Sequence, residues 1–296
     1  MGLRMTVIPS FALSLLRCTA DGGPLTLVRD HGERVRCDAC GASYPVRDGF
    51  IDMLGDAPIE DAESRFEHEA RAVEANRSRG APGVPLSVVD ELEVASTLRH
   101  LGDLAGCTVL ELGCGAGLYT RLLAARGARV VAVDFSAAHL AVHVAQDLAA
   151  ERVALIRADV TTLRLAPSSV DLALNTLYSN LPSPTLRAAA NALVVSALRP
   201  AGRYLVSAHH HDLRRRARRL ARASRYGGSG IFYACMTSRE LASDLSAFAA
   251  VETTPAAVCL PFVMPWASDR VWRWLERVPG LNELGAILLA DARKGA

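Results

Sequence analysis

The sequence predicts an α/β protein built on a doubly wound, mostly parallel sheet, preceded by a small β-rich module. Three observations carry that prediction. From about residue 87, short apolar runs alternate with helix-patterned segments, the texture of strands joined by crossover helices. The glycine-rich run Gly113-Cys-Gly115-Ala-Gly117 stands where the first apolar run ends and a helix begins, the crevice in which open α/β sheets bind ligands. Residues 1–57 differ in kind, with turn signals, short β-like runs and closely spaced cysteines.

Each element follows from its pattern. A helix over 87–101 leads into a strand over Thr108–Leu112, whose unbroken apolar run suits a strand covered on both faces. A helix over 118–126 closes at Gly127, a residue type that ends helices in the left-handed region. Next come a strand at 129–133, a helix N-capped by Ser136, and strands at 153–158 and Val170–Asn175. A helix at 185–198, the turn Arg199-Pro-Ala-Gly202 and a fifth strand at 203–208 complete the alternation, with crossover helices between the strands. Residues 213–225 carry seven arginines with Leu213, Ala217, Leu220, Ala221 and Ser224 at helical spacing, which predicts an amphipathic helix with an arginine-covered outer face. Phe232–Phe248 reads as the start of a further helix, and 284–294 as the closing strand. The domains predicted are a module over 1–57, a helical linker or lid over 58–86 with a hinge near Gly80, and an α/β domain over 87–296.

Bulk properties narrow the function. The net charge of +2 over 296 residues names no polyanionic partner, and Lys294 is the only lysine, so the arginines read as compositional bias. No apolar stretch is long enough for a bilayer and no cleavage site follows 11–16, which predicts a cytoplasmic protein without a membrane partner. The seven cysteines form no disulfide framework.

The spacing of the glycine run is informative. A dinucleotide fingerprint would need glycine at position 118, where leucine stands. The actual pattern, Glu111-Leu-Gly113-Cys-Gly115-Ala-Gly117, resembles the first motif of the class I S-adenosylmethionine (SAM) dependent methyltransferases. The resemblance implies that Glu111, Gly113, Cys114, Gly115 and Gly117 meet the cofactor. It also implies that Asp134, with Ser136 behind it, receives the ribose hydroxyls. Asp159 would contact adenine, Phe135 and Val160 would sandwich the ring, and Asn175, at the end of strand four, would also meet the cofactor. Arg199-Pro-Ala-Gly202 departs mildly from the family's Lys-Pro-Gly-Gly.

SAM brings the activated methyl group, so the protein must align an acceptor and, where the nucleophile arrives protonated, supply a base. Candidates stand after strands four and five: Tyr178, His209 and His210, the histidines beside Asp212. Alternatively the histidines belong to a solvated loop, with Asp212 capping the next helix. The segment 259–281, with Pro261-Phe-Val-Met-Pro265-Trp266 and all three tryptophans, either covers the active site or packs locally. The helix 58–80, with Phe66, is a second covering candidate.

In the module, Cys18-x-x-Asp21 and Cys37-x-x-Cys40 have zinc-ribbon spacing with one cysteine replaced; His31 is an alternative fourth ligand, and a metal-free apolar core is another solution. Ser43-Tyr-Pro-Val-Arg-Asp-Gly-Phe-Ile-Asp-Met-Leu54 resembles the small zinc-ribbon-like adaptor domain that accompanies several methyltransferases. The readings that follow are methylation of a small-molecule acceptor on O, N or C, methylation of an RNA base, favoured by the module and the arginines, and a non-catalytic SAM-binding scaffold.

Overall fold

The computed structural model describes residues 8–30, 32–54, 81, 83–144, 151–226, 231–258, 269–278 and 280–296. The expected helix 58–80 with Phe66, the hinge at Gly80, His31 and the run 261–266 lie outside the described residues.

The chain opens with helix α1 (Ser10–Leu15) and the two-residue strand β1 (Leu16–Arg17). A meander follows: β2 (Leu25–Arg29), β3 (Glu33–Cys37), β4 (Ser43–Arg47) and β5 (Phe50–Asp52). Then come α2 (Val88–Leu101), β6 (Thr108–Leu112), α3 (Leu118–Ala125), β7 (Arg129–Asp134), α4 (Ala137–Val144) and β8 (Val153–Arg157). The remainder is β9 (Arg164–Leu165), β10 (Val170–Asn175), α5 (Pro184–Ala197), β11 (Leu198–His209), α6 (Leu213–Ala217), β12 (Ala223–Arg225), β13 (Phe232–Ala234), α7 (Ser238–Asp244), β14 (Ala250–Val258), α8 (Asp269–Arg277) and β15 (Gly285–Arg293).

One sheet of eleven strands runs in the order β14-β15-β11-β10-β6-β7-β8-β5-β4-β3-β2. Strands β11, β10, β6, β7, β8 and β5 are parallel, and β15 closes antiparallel on β11 with β14 beyond it. Every residue of β6 is buried because helices cover both faces. Removing a leucine-sized side chain from water contributes about 1.5–3 kcal/mol, so these central strands carry much of the stability. The predicted doubly wound sheet is therefore present, with Ser136 capping α4 as expected, and Ser87 caps α2 in a capping box with Asp90.

Three expectations need correction, and a fourth feature, the junction of the module with the main sheet, was not predicted. The arginine-rich helix stops at Ala217, and Arg219 takes a left-handed backbone (φ 53°). Leu213 and Leu220 remain 48% and 45% exposed, so the apolar stripe has no surface to bury and the helix gains nothing by continuing. The stretch from 232 begins as β13, hairpinned with β12, and the helix forms only at α7, where Thr237 and Glu240 make a reciprocal capping box. No helix links β8 to β10. The connection carries β9, which pairs with β1, and Ala12, Leu15 and Leu16 bury against the same core cluster as Leu163, Leu165 and Val170. Finally, the module is joined to the main sheet: β5 pairs in parallel with β8, Ile51 opposite Ile156 and Asp52 opposite Arg157.

That junction holds an ion pair. Arg157 Nη1 lies 3.2 Å from Asp52 Oδ2, both side chains largely shielded, and Arg157 Nε donates to the carbonyl of Phe135. Asp52→Ala leaves a shielded guanidinium without its carboxylate, and we expect a loss of about 3 kcal/mol in urea denaturation. A loss below about 0.5 kcal/mol would show that the pair is no more than a surface contact.

Candidate functional site

The glycine loop hangs between the ends of β6 and β7. Val133 O accepts from the N–H groups of Gly113 and Cys114 at 2.8 and 3.0 Å. Gly113, Gly115 and Gly117 all have positive φ (71°, 51° and 87°), which only glycine adopts without strain. A Cβ on Gly113 would stand 2.8 Å from Leu177, so the loop after β10 lies directly against the glycine loop. A Cβ on Gly115 would meet nothing within 4 Å, which marks the open side of the cleft.

The acidic residues occupy the rim. Asp134 is buried; its Oδ2 accepts the Gly115 N–H at 2.8 Å and its Oδ1 the Ser136 N–H at 2.9 Å. Each oxygen retains a lone pair, so the carboxylate can still receive two hydroxyls. Asp159, one strand further, is half-buried and accepts from the N–H and hydroxyl of Thr161. Phe135, Val160 and Leu177 leave apolar surface at the cleft. Asn175 is buried, donating to Tyr204 Oη and accepting from the Leu177 N–H, so it shapes the loop after β10. Burial pushes the Cys114 thiol well above its ordinary value, which makes it an inert wall.

Glu111 lies beneath the loop, with Oε2 accepting from Thr120 Oγ1 at 2.6 Å. Burial, aided by the nearby Asp134 charge, raises its carboxyl from 4.5 to about 8. Glu111 thus holds its proton near neutrality, and a bound cation would draw that proton away.

The acceptor-side candidates separate. Tyr178 is fully buried, its hydroxyl accepting from Asn191 Nδ2 at 3.0 Å and facing Asp244 between α5 and α7, so it cannot touch an acceptor as expected. His210 is also buried, with Nδ1 on the carbonyl of Gly285 at 2.8 Å, and so is held as a structural group rather than a base. His209 alone is half-exposed at the carboxyl end of β11. Its Nε2 lies 2.7 Å from the hydroxyl of Tyr226, and Tyr233 packs beside both rings. The sequence pattern gave no warning of these two tyrosines, because a hairpin brings them there. Trp274 on α8 is 60% exposed.

In the module, Cys18, Asp21, Cys37 and Cys40 converge, their ligand atoms all within 4.8 Å of one another. Cys18 Sγ and Cys40 Sγ are 3.6 Å apart, and Cys37 Sγ lies 3.4 Å from Asp21 Oδ1. Tetrahedral zinc, with bonds of about 2.3 Å to sulfur and about 2.0 Å to oxygen, sets edges of roughly 3.8 and 3.5 Å. The four residues therefore fit a structural zinc ion. A Cβ on Gly23 would come within 2.9 Å of Cys37 Sγ, so glycine there lets the cluster close. Tyr44 Oη, 3.1 Å from Cys18 Sγ, orients that sulfur.

Comparison with known proteins agrees with this geometry. Residues 109–202 match the family described as a methyltransferase domain. That stretch is similar to a methyltransferase domain. Residues 11–49, ahead of it, match the Trm112p-like proteins. A segment of 82 residues is 38% identical to the demethylmenaquinone methyltransferase of Clavibacter sepedonicus, covering 28% of this chain and 34% of that protein. Another of 47 residues is 51% identical to the magnesium-protoporphyrin O-methyltransferase of Rhodobacter capsulatus, covering 16% and 21%. The chain thus spans about a third of these curated relatives or less. Among solved structures, the DhpI-SAM-HEP complex superposes with a TM-score of 0.54 at 22% identity, covering 80% of this chain and 99% of that one. A protein of Listeria monocytogenes assigned to the SAM-dependent methyltransferases gives 0.51 at 17%, covering 69% and 97%. At these identities the likeness establishes the fold alone.

Two outcomes follow. A carboxyl raised on folding binds more protons in the native chain, so its stabilising state is complete below about 4.5 and is lost as pH rises toward about 8. Glu111→Gln should therefore gain stability relative to wild type across that window, by a few kcal/mol at its upper end; an equal difference at both ends contradicts the assignment. Metal analysis should find one zinc per chain, and Cys37→Ser should lose it along with thermal stability. A metal-free wild type of unchanged stability refutes the zinc site.

Proposed function

We propose that the chain transfers a methyl group from SAM to a small-molecule acceptor. The observation that carries the proposal is the cleft itself. Its floor is an open glycine loop clamped by Asp134, and the half-buried Asp159, Phe135 and Val160 beyond the ends of the next two strands support assigning a nucleoside there. Gly113, Gly115, Asp134, Phe135, Asp159 and Val160 would hold the nucleoside half, and Glu111 would stabilise the cofactor's ammonium group through the loop. When bound, SAM supplies a methyl carbon on a sulfonium; its C–S bond breaks as the acceptor's bond forms, with the electron pair left on sulfur. The residues of the chain position the two reactants and exclude water, which is where proximity contributes several kcal/mol.

Acceptor size follows from charge and from relatives. The curated relatives carry names that refer to demethylmenaquinone, magnesium-protoporphyrin and ubiquinone biosynthesis, all small molecules. In the arginine segment, Arg214, Arg216 and Arg222 pair with Asp212, Glu283 and Glu240, which leaves less positive surface for an RNA backbone. No helix among the described residues is long and apolar enough to cross a membrane. We retain the division into a module over 1–57, a linker over 58–86 and a catalytic domain over 87–296, with the module as structural support.

Incubation with methyl-labelled SAM and, separately, a small-metabolite extract and total RNA tests the proposal. Label should enter the metabolite fraction, and Asp134→Ala should reduce the rate at least about 100-fold, as expected when two hydrogen bonds to charge are lost. Label in RNA that fades steeply with salt would identify a nucleic-acid methylase instead. No label in any fraction, with SAM still bound, would identify a scaffold.

A further inference from the structure

We propose that His209, Tyr226 and Tyr233 form the acceptor-binding wall, built for a planar aromatic ring bearing a hydroxyl whose proton His209 Nε2 receives. The proposal rests on the transferase reading and adds to it a substrate class and a base.

Topology fixes the location. Along the sheet, Asp134 and Asp159 end β7 and β8 on one side of the glycine loop, while β10 and β11 lie on the other. A nucleoside held by the acids therefore directs the reacting end of the cofactor toward β10 and β11. The path across is continuous: Leu177 touches the position of Gly113, and two residues later Ser179 Oγ accepts the backbone N–H of His209 at 2.6 Å. His209 is the last residue of β11 and follows the five consecutive buried residues 204–208, so its ring springs from a rigid base.

The wall is built with equal care for position. Rings of His209 and Tyr233 are 5.1 Å apart, His209 and Tyr226 5.7 Å, Tyr226 and Tyr233 4.7 Å. The tyrosines stand on the two arms of the β12–β13 hairpin, where the Tyr226 N–H bonds to Ile231 O at 3.0 Å. Asn180 Nδ2 donates to Phe232 O at 2.6 Å, and the Met236 N–H to His209 O at 2.8 Å, so the hairpin is fixed to both β10 and β11 at their carboxyl ends. Tyr226 nonetheless stays 38% exposed and Tyr233 and His209 half-exposed. Three clustered rings that retain open surface are suited to stack on a further ring.

The contact of Tyr226 with His209 shows which ring. A phenolic oxygen already lies 2.7 Å from Nε2, so the chain's own phenol displays the bond an incoming hydroxyarene would make. When such an acceptor takes that place, its hydroxyl proton passes to Nε2, the imidazole becomes imidazolium, and the oxygen keeps the electron pair as the aryloxide nucleophile. A saturated alcohol gains neither the stacking nor the acidity that makes this transfer accessible.

The full chain, saturated with S-adenosylhomocysteine, is titrated with 4-nitrocatechol, whose phenolate band reports both binding and ionisation. The control is cis-1,2-cyclohexanediol. The proposal expects nitrocatechol to bind with gain of the phenolate band and the diol not to displace it. Tyr233→Ala should weaken binding about ten-fold or more, and His209→Gln should retain most of the affinity but lose the gain in phenolate. Homocysteine-adduct binding, measured by calorimetry, should stay unchanged in both variants, which also shows that they fold. If S-adenosylhomocysteine binds but nitrocatechol does not, or if both variants keep its affinity and its phenolate band, the acceptor wall is refuted. If S-adenosylhomocysteine itself fails to bind, the transferase reading falls first and this one with it.

Discussion

Asp134 accepts the N–H of Gly115 on one carboxylate oxygen and that of Ser136 on the other, so one side chain ties the glycine loop to the start of the following helix. The loop is otherwise held at its root by Val133 O, and three of its residues sit at positive φ with no side chain to brace them. Without the carboxylate, the open face at Gly115 would lose its definition. Every functional assignment proposed above rests on that face, since the nucleoside is assigned to it and the acceptor to the strand ends beyond. Glu111, buried below, is kept from adding a second negative charge by its own desolvation.

The N-terminal module bears on the same region from the sheet's edge. By adding β5 to β8 it extends the parallel sheet and covers what would have been an unpaired edge. Asp52, through Arg157, reaches the carbonyl of Phe135, one residue beyond Asp134. The meander thus buttresses the rim beside Asp134 from the sheet's edge, which gives the module a physical role in the large α/β domain.

Much of this was legible because the chemistry is local. The alternation from 87 to 208, the Ser136 cap, the glycine loop and the strand-end acids each follow from residues adjacent in sequence, and the cysteine pairs announced their cluster by spacing. What escaped was set by distant contacts. Strand β14 is half exposed, contains Pro255 and lies at the sheet's edge, so it lacks the apolar run that betrays the inner strands. The arginine segment has helical periodicity, yet no partner surface meets its leucines. Tyr178 looked available from its place after strand four, but Asn191 and Asp244 draw its hydroxyl into the interior. Tyr226 and Tyr233 reach His209 only because a hairpin folds back over the strand end.

A crystal structure of the chain grown with S-adenosylhomocysteine tests the central claim most directly. The account predicts the adenosine laid across Gly113 and Gly115, both ribose hydroxyls on the carboxylate of Asp134, and the sulfur turned toward the loop after β10. Density for the ligand elsewhere, or a cleft closed over Gly115 with Asp134 facing away from the ribose, would contradict it.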